Sequence, residues 1–258
     1  MCGRFALTAA PDETAAFMGL GELEAFPPRY NIAPTQPILA VLSAGSVAPG
    51  CNRPDRVALL VRWGLLPSWV KDARDFPLLF NARSEEAATK PSFKAAIRHR
   101  RALVPANGFY EWKKQQNGRR GQPYWLRPRR GGLIAFAALV ETYMEPGGAE
   151  MDTGAILTTA ASGDVAHIHD RMPVVIEPEH FARWLDCRSN EPRDVADLLN
   201  PASEGFFEAV PVSDRVNKVA NGDPEIQARC TVPEPASASP ENAERRIPGA
   251  DDGQLELF

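Results

Sequence analysis

The chain has 258 residues, of which 44% are hydrophobic, so it can bury a sizeable core and wholesale disorder is excluded. Its formal net charge is −4, so overall charge does not indicate a nucleic-acid-binding protein. The four cysteines form no CxxC pair and have no zinc-ligand spacing with the four histidines, which argues against a disulfide scaffold or a zinc module.

Short apolar runs between prolines predict strands at 38–42, 57–63, 102–104, 124–126, 133–140, 155–159, 174–176 and 207–212. Helices are predicted at 11–18, capped by Thr8 and ended by Gly19, at 93–99, capped by Ser92, and at 179–185 and 192–199. Strands interrupted by helices, without strict alternation, predict an α+β fold with an antiparallel, barrel-like β core and flanking helices.

The composition changes near Thr231, where prolines, alanines, serines and acids replace the apolar runs. Such a segment cannot bury enough surface to fold, so the sequence predicts one domain at 1–230 and a disordered tail at 231–258. No apolar stretch has the length of a signal peptide or a membrane span. We therefore expect a soluble protein of the reducing cytoplasm.

Positive charge is concentrated between Lys90 and Arg130, where twelve Lys or Arg residues accompany a single acid, Glu111. In an otherwise acidic protein, this cluster predicts an anion-binding surface, although a solvated face is the alternative for any one residue. Glu111 lies among aromatic residues, an environment that raises a carboxyl pKa and suits proton transfer; a structural ion pair is the alternative.

The N-terminal sequence begins Met1-Cys2-Gly3. Aminopeptidases remove Met1 before a small residue, which would leave an α-amine and a thiol on Cys2. The amine, with a reference pKa of about 7.7–8.0, can condense with an aldehyde to an imine. The thiol can then close a five-membered thiazolidine. The alternatives are an N-terminal-nucleophile hydrolase and a small buried residue without a chemical role.

Three further segments carry side chains suited to DNA chemistry. His169 can transfer protons at cellular pH, and Arg171 beside it can bind a phosphate. His167 precedes His169 by two positions, but no third ligand is indicated, so we predict no metal and no cofactor. In an extended segment Asn81 and Arg83 point the same way. Asn81 could orient a reacting group through its amide, and Arg83 could bind a phosphate. Structural roles for both residues are the alternative. Trp63 and Trp69 flank a predicted loop and suit either core packing or base stacking.

Together these segments resemble the SOS response-associated peptidase (SRAP) family. The resemblance runs in order over roughly residues 2–215 and rests on six motifs: residues 1–5, 29–35, 63–69, 81–85, 105–112 and 169–173. It implies a single α+β domain with a barrel-like core and a positively charged cleft. It also implies binding to single-stranded DNA and to junctions of single- and double-stranded DNA that carry abasic sites.

By this resemblance, the chain cross-links abasic sites through a thiazolidine at Cys2, a lyase-like activity that protects the site during replication. Asn81, Glu111 and His169 are the supporting catalytic residues that the motifs imply. The motifs match Arg4, Arg83 and Arg171 to phosphate-contacting positions. They place Pro34, Trp63 and Trp69 in a DNA-facing wedge.

The chain ends in Gln254-Leu255-Glu256-Leu257-Phe258. This peptide is similar to the short motif by which bacterial DNA-repair proteins bind the β sliding clamp, and a flexible tether with apolar side chains suits a shallow groove. The similarity implies a bacterial protein, associated with the nucleoid at replication forks. An accidental apolar terminus is the alternative.

Two other functions remain open at this stage. Cys2, Glu111 and His169 could form a cysteine peptidase whose reaction is the autoproteolytic removal of Met1. A peptide substrate does not explain the basic cluster. The chain could instead be a noncovalent single-stranded DNA-binding module in which Cys2 has no chemical role.

Overall fold

The computed structural model describes residues 2–47, 55–114 and 120–231. In these residues thirteen strands and six α-helices occur. The strands are β1 Phe5–Leu7, β2 Arg29–Ile32, β3 Pro37–Ser43, β4 Arg56–Trp63, β5 Asn81–Arg83, β6 Arg101–Ala106, β7 Gly108–Lys114, β8 Arg120–Pro128, β9 Ile134–Met144, β10 Glu150–Ala160, β11 Arg171–Pro173, β12 Val175–Ile176 and β13 Phe207–Pro211. The helices are α1 Pro11–Met18, α2 Ala44–Val47, α3 Ser84–Ala87, α4 Lys94–His99, α5 Gly163–Ala166 and α6 Phe181–Leu185.

Five strands close a small barrel in the order β10-β4-β3-β6-β9, because β9 pairs directly with β10. The pairings are antiparallel except for β4 with β10, which run parallel. Each predicted strand from residue 38 to residue 176 overlaps an observed strand, although 133–140 and 174–176 begin one residue before β9 and β12. The predicted α+β fold with a barrel-like core is confirmed.

A second antiparallel sheet, in the order β13-β8-β7-β1-β2, packs against this barrel. Phe5 of β1 contacts Trp63 and Phe136 of the barrel edge-to-face, with ring centroids 5.1 Å and 5.9 Å apart. Burial of each such ring contributes about 1.5–3 kcal/mol, so these aromatic contacts fix the start of the chain onto the barrel.

Glycine is needed where β7 begins beside β1. A Cβ on Gly108 would lie 2.4 Å from the backbone oxygen of Leu126, closer than real Cβ atoms come to a carbonyl. Gly108 pairs with Ala6, and Phe109 with Phe5. The close approach therefore brings the residues that follow Gly108 alongside the N-terminus.

The predicted helix caps differ from the observed ones. Helix α1 begins at Pro11 and is ended by Gly19, at φ 65°, as predicted, but its N-cap is Ala10. Thr8 does not cap the helix; its N–H instead donates to Asn107 Oδ1 at 2.6 Å. The cap predicted at Ser92 is wrong as well, because α4 begins one residue later and its N-cap makes no side-chain hydrogen bond.

The two C-terminal helices are tighter or shorter than predicted. Pro192–Leu199 is a 3₁₀ helix, begun by a capping box in which Glu191 and Asp194 each bond the other's backbone N–H. The stretch predicted as a helix at 179–185 divides into a 3₁₀ turn, Pro178–His180, and α6. Further 3₁₀ turns lie at Ala73–Asp75, Asp214–Asn217 and Pro224–Gln227.

The short strands β5 and β11 both pair with the second half of β10, β5 in parallel and β11 antiparallel. They bring Asn81–Arg83 and Arg171–Pro173 to one end of the barrel. In the described part of the chain, no helix has both the length and the apolar character to cross a membrane. The predicted tail from 232 onward lies outside the described residues.

Candidate functional site

Cys2 lies where the N-terminal segment enters the second sheet. Its side chain is fully buried, and its thiol lies 3.9 Å from the backbone oxygen of Arg4. That same oxygen accepts from the N–H of Tyr110, which places Cys2 beside the strand that carries Glu111. Burial, and secondarily the Glu111 charge, raise the pKa of the Cys2 thiol far above its ordinary value, so the thiol is protonated at neutral pH.

Asn81, at the start of β5, holds the other side of Cys2. Its Nδ2 donates to the backbone oxygen of Cys2 at 2.7 Å. Its Oδ1 is buried and makes no hydrogen bond within the described residues. The side chain therefore fixes the Cys2 main chain with its donor and keeps an acceptor at the site.

Glu111, in the middle of β7, is 3% exposed. Burial raises the pKa of its carboxyl group to about 7, and the negative charge of Asp170 acts in the same direction. A carboxyl group with this pKa has both protonation states populated in the cell, so it can take a proton and return it. The carboxyl lies close enough to Cys2 for its charge to affect the thiol.

His169 follows the turn after α5 and has an 11% exposed side chain. Its Nδ1 accepts from the N–H of Arg171 at 3.0 Å and lies 2.9 Å from Asp170 Oδ1. One nitrogen cannot do both at once. In the neutral ring Nδ1 accepts from Arg171 and Nε2 carries the proton; in the protonated ring Nδ1 donates to Asp170. Asp170 was missed by the sequence reasoning, although it lies within the His169 motif.

Arg83 and Arg171 lie on β5 and β11, on either side of the end of β10. Arg83 is exposed, as the extended segment predicts, and the burial pattern of β5 puts Asn81 and Arg83 on the side opposite the buried Ala82. Arg171 is held by Glu85 and by the backbone oxygen of Thr158. Both arginines therefore lie at the same end of the barrel as Asn81.

Arg4 has a different environment from the one its predicted role requires. It is 8% exposed, and its Nη1 donates to Asn31 Oδ1 at 2.8 Å and to the backbone oxygen of Val216 at 2.7 Å. Asn31 Nδ2 bonds further backbone oxygens of the same C-terminal segment. The pair links β1 and β2 to that segment, so a phosphate contact by Arg4 stays a prediction that requires these bonds to break.

The prediction that Trp63 stacks on a DNA base is wrong, because its side chain is fully buried in the core. Its Nε1 donates to the backbone oxygen of Phe80 at 2.8 Å, directly before Asn81. Trp63 is therefore a positioning residue for β5. Its backbone oxygen accepts from Thr35, whose positive φ of 74° closes the turn that contains the half-buried Pro34.

Trp69 is exposed at 57% of its surface and packs edge-to-face on Phe76 with centroids 5.5 Å apart. The contact supports one side of the indole and leaves more than half of the side chain exposed. Of the two tryptophans assigned to the DNA-facing wedge, Trp69 has the exposure that base stacking requires.

The described residues of the basic stretch from Lys90 to Arg130 are distributed over α4 and three strands that belong to two different sheets. Arg101 is fully buried and donates to four backbone oxygens. Other arginines of the stretch form ion pairs, namely Arg98 with Glu191, Arg100 with Asp152, Arg127 with Glu208 and Arg129 with Asp164.

The paired histidines do not share a face. Residues 167 and 168 form a turn after α5, with His167 exposed and His169 mostly buried. Within the described residues, no group of three His, Cys, Asp or Glu side chains has the geometry of a metal site.

Comparison with known sequences gives one consistent set of relatives. A model of the SOS response associated peptidase (SRAP) family matches residues 1–219. The abasic site processing protein YoqW of Bacillus subtilis is 35% identical over 232 residues, which cover 88% of this chain and 98% of YoqW. The abasic site processing protein HMCES of Gallus gallus is 34% identical over 80% of this chain and 66% of its own length.

Solved structures share the fold. A protein from Bacteroides thetaiotaomicron superposes with a TM-score of 0.76 at 24% identity, over 89% of this chain and 100% of that chain. A phage-related protein from Bordetella bronchiseptica superposes with a TM-score of 0.65 at 29% identity, over 82% and 94% of the two chains. At 24% identity, the first comparison supports the fold alone.

Proposed function

The chain belongs to the SOS response-associated peptidase (SRAP) family, and from that premise we propose that it processes abasic sites in single-stranded DNA through a covalent bond at Cys2. The observation that carries the proposal is the arrangement of Cys2 between Asn81, which holds its backbone oxygen, and Glu111, whose pKa is about 7. The relatives named as abasic site processing proteins support the substrate class.

The reaction begins after Met1 has been removed, when Cys2 carries the α-amine. Because burial keeps the thiol protonated, the amine is the first nucleophile. It adds to C1′ of the ring-opened sugar to give a carbinolamine, whose hydroxyl leaves as water and leaves a protonated imine. The acid form of Glu111 supplies the proton for that departure.

Ring closure completes the adduct. Glu111, now a carboxylate, takes the thiol proton, and the sulfur adds to the carbon of the protonated imine, which gives the neutral thiazolidine and restores the acid form of Glu111. The net change is aldehyde plus aminothiol to thiazolidine plus water, with no oxidant and no metal. In its neutral form His169 carries a proton on Nε2. It opens the cyclic sugar by proton transfer at the ring oxygen and the hydroxyl of the sugar.

The remaining residues hold the strand. Arg83 and Arg171 bind the phosphates on either side of the abasic sugar, which brings C1′ to the amine at short range. Trp69 stacks on an adjacent base and keeps the strand single. A junction of single- and double-stranded DNA would place its duplex end against this wedge.

The test is the mass of the adduct. Protein with a native N-terminus is mixed with a single-stranded oligonucleotide that carries one abasic site, and the product is separated on a denaturing gel after heating. The expected species has the mass of the protein without Met1, plus the DNA, minus one water. Free protein and free DNA alone, with Cys2 confirmed at the N-terminus, would reject the proposal and favour noncovalent binding.

We also propose that the C-terminal peptide binds the β sliding clamp through Gln254, Leu255, Leu257 and Phe258, a prediction that lies outside the described residues. Deletion of 254–258 is expected to abolish clamp binding in a pull-down with purified clamp and to leave cross-linking unchanged. The substitution Asp251→Ala, outside the peptide, is the control. Clamp binding that survives the deletion would contradict the proposal.

A further inference from the structure

Helix α3, one turn that follows β5 directly, pairs with both arginines assigned to the DNA phosphates. Nη1 and Nη2 of Arg171 donate to the two carboxylate oxygens of Glu85 at 2.6 Å and 2.8 Å. Nη1 of Arg83 lies 3.2 Å from Oε1 of Glu86. Two adjacent glutamates therefore neutralise the two cations at the end of the barrel.

The contact with Glu85 uses the edge of Arg171 that a phosphate would use. A guanidinium binds a carboxylate or a phosphate through the same pair of parallel N–H groups. Nη2 of Arg171 also donates to the backbone oxygen of Thr158 at 2.5 Å, which fixes the direction of that edge. A DNA phosphate can bind there only after the Glu85 carboxylate has moved away.

Both glutamates are free to move into solvent. The side chains of Glu85 and Glu86 are 51% and 45% exposed, whereas that of Arg171 is 15% exposed. Such half-exposed ion pairs are weak enough for a polyanion to displace. The hydrogen bonds from Arg171 lower the pKa of Glu85, which keeps the carboxylate charged until it is displaced.

Glu86 also shares a cavity with Asn81. With Arg83, Lys90 and Phe80 it lines a cavity of about 360 Å³ that also contains Asn81, the residue that holds Cys2. An apolar wall, two cations and an amide acceptor suit a nucleotide next to the abasic sugar. Among the residues that line this cavity, Glu86 is the one whose carboxylate would repel the phosphate of that nucleotide.

We infer that Glu85 and Glu86 are phosphate mimics, which occupy Arg171 and Arg83 when DNA is absent and must be displaced by the backbone of the bound strand. They lower the affinity for every strand, so intact single-stranded DNA dissociates, while a strand with an abasic site is retained by its covalent bond. The two residues thus determine specificity for abasic DNA. The inference rests on the proposed function, since it assumes that this end of the barrel receives DNA.

The experiment compares Glu85→Gln and Glu86→Gln with Asp197→Asn, which removes the same charge from the Arg183–Asp197 ion pair on α6 and the 3₁₀ helix 192–199. Binding is measured by fluorescence anisotropy with a tetrahydrofuran oligonucleotide, an abasic analogue without an aldehyde, over a range of salt concentrations. Each Gln variant is expected to bind about 3- to 10-fold more tightly, with a slope of log K against log salt steeper by about 0.7. Asp197→Asn is expected to leave that slope unchanged.

A double variant locates the effect. In an Arg171→Gln background, Glu85→Gln is expected to lose its gain in affinity, because no guanidinium is left to release. Weaker binding by Glu85→Gln would mean that Glu85 only orients Arg171, and an equal gain in Asp197→Asn would mean a general charge effect; either result overturns the inference. If Glu85→Gln fails to fold, the exposed Arg83–Glu86 pair provides the same comparison.

These measurements are noncovalent and can be read separately from the proposed function. A wild-type protein that binds the analogue but forms no adduct with a natural abasic site rejects the covalent reaction alone. A wild-type protein that forms the adduct, with Gln variants that bind no more tightly, rejects the role of the glutamates alone.

Discussion

Replacement of Cys2 by alanine is expected to abolish the heat-stable adduct with abasic DNA, with a loss on the order of 10³-fold or more. Alanine is small enough for Met1 to be removed, so the variant keeps the α-amine and can still form the imine. It has no thiol to close the ring, and the imine hydrolyses on heating. The measurement is the yield of adduct on a denaturing gel.

A reductant separates the roles of amine and thiol. Cyanoborohydride delivers hydride to the imine carbon, so Cys2→Ala is expected to form a stable adduct when it is present and none when it is absent. A chain with a permanent extension before Met1 keeps the thiol but has no α-amine on Cys2, and it should fail under both conditions. A heat-stable adduct of Cys2→Ala without reductant would exclude the thiazolidine.

The matched control is Cys187→Ala, which removes a half-buried cysteine that no step of the mechanism uses. Because Cys2 is fully buried, its truncation also leaves a small cavity, at a cost of about 1 kcal/mol. Thermal unfolding of both variants should stay cooperative. Cleavage of a peptide by the wild type that is lost in Cys2→Ala would favour the peptidase alternative instead.

Four of the five barrel strands could be predicted because they contain apolar runs of five to eight residues, whereas β6 was indicated only by the three residues 102–104. Strands β1, β5 and β11 have three residues each and carry no periodicity of their own. They form only because β7 and β10 supply hydrogen-bonding edges for them. These short strands hold the candidate site, so its geometry depends on pairings that no local pattern reveals.

The site residues were named from motifs, but their contacts were not. Asn81 and Cys2 are 79 positions apart, and the pairing of β5 with β10 holds Asn81 where it can donate to Cys2. Trp63 shows the opposite case. Val61 and Trp63 alternate inward along β4, a pattern that indicates core packing, whereas the motif alone suggested a wedge.

The location of the basic stretch in the fold could not be predicted for a related reason. Charge density along a sequence predicts a surface only if the segment lies on one face, and residues 90–130 cross two sheets. The arginines that reach the candidate site, Arg83 and Arg171, lie outside this stretch or far from it in sequence. Their positive charge is also compensated by Glu85, the last residue of the motif at 81–85, and by Glu86, which follows that motif.

Replacement of Glu111 by glutamine is expected to slow adduct formation by roughly 10²-fold, the usual contribution of one general acid–base group. Glutamine keeps the size of the side chain and can accept a hydrogen bond, but it cannot transfer a proton. In the wild type the rate should peak near pH 7, where both forms of Glu111 are populated, since departure of water needs the acid and thiol attack needs the base. The profile of Glu111→Gln should lose that peak. An unchanged pH profile with a uniformly lower rate would indicate a structural role.

The same substitution is expected to stabilise the folded protein above neutral pH. The folded pKa of Glu111, about 7, lies above the ordinary glutamate value of 4.5, so the folded chain binds more protons than the unfolded chain between these pH values. The associated stability is fully present below about pH 4.5 and is lost as the pH rises through 7. Over 2.5 pKa units this amounts to about 3 kcal/mol, which the glutamine variant does not lose. Chemical denaturation at pH 5 and pH 8 should therefore show Glu111→Gln as the more stable protein at pH 8.

The two measurements together distinguish a catalytic carboxyl from a structural one. A structural ion pair at Glu111 predicts that the glutamine variant loses both rate and stability, because its partner is left buried without a counter-charge. If the carboxyl is buried for proton transfer, the glutamine variant should react more slowly and be more stable. The buried charge destabilises the folded wild type, and its benefit lies in the reaction alone. Conservative variants at ordinary core positions do not combine these two changes, so their joint appearance would assign Glu111 to the chemistry of Cys2.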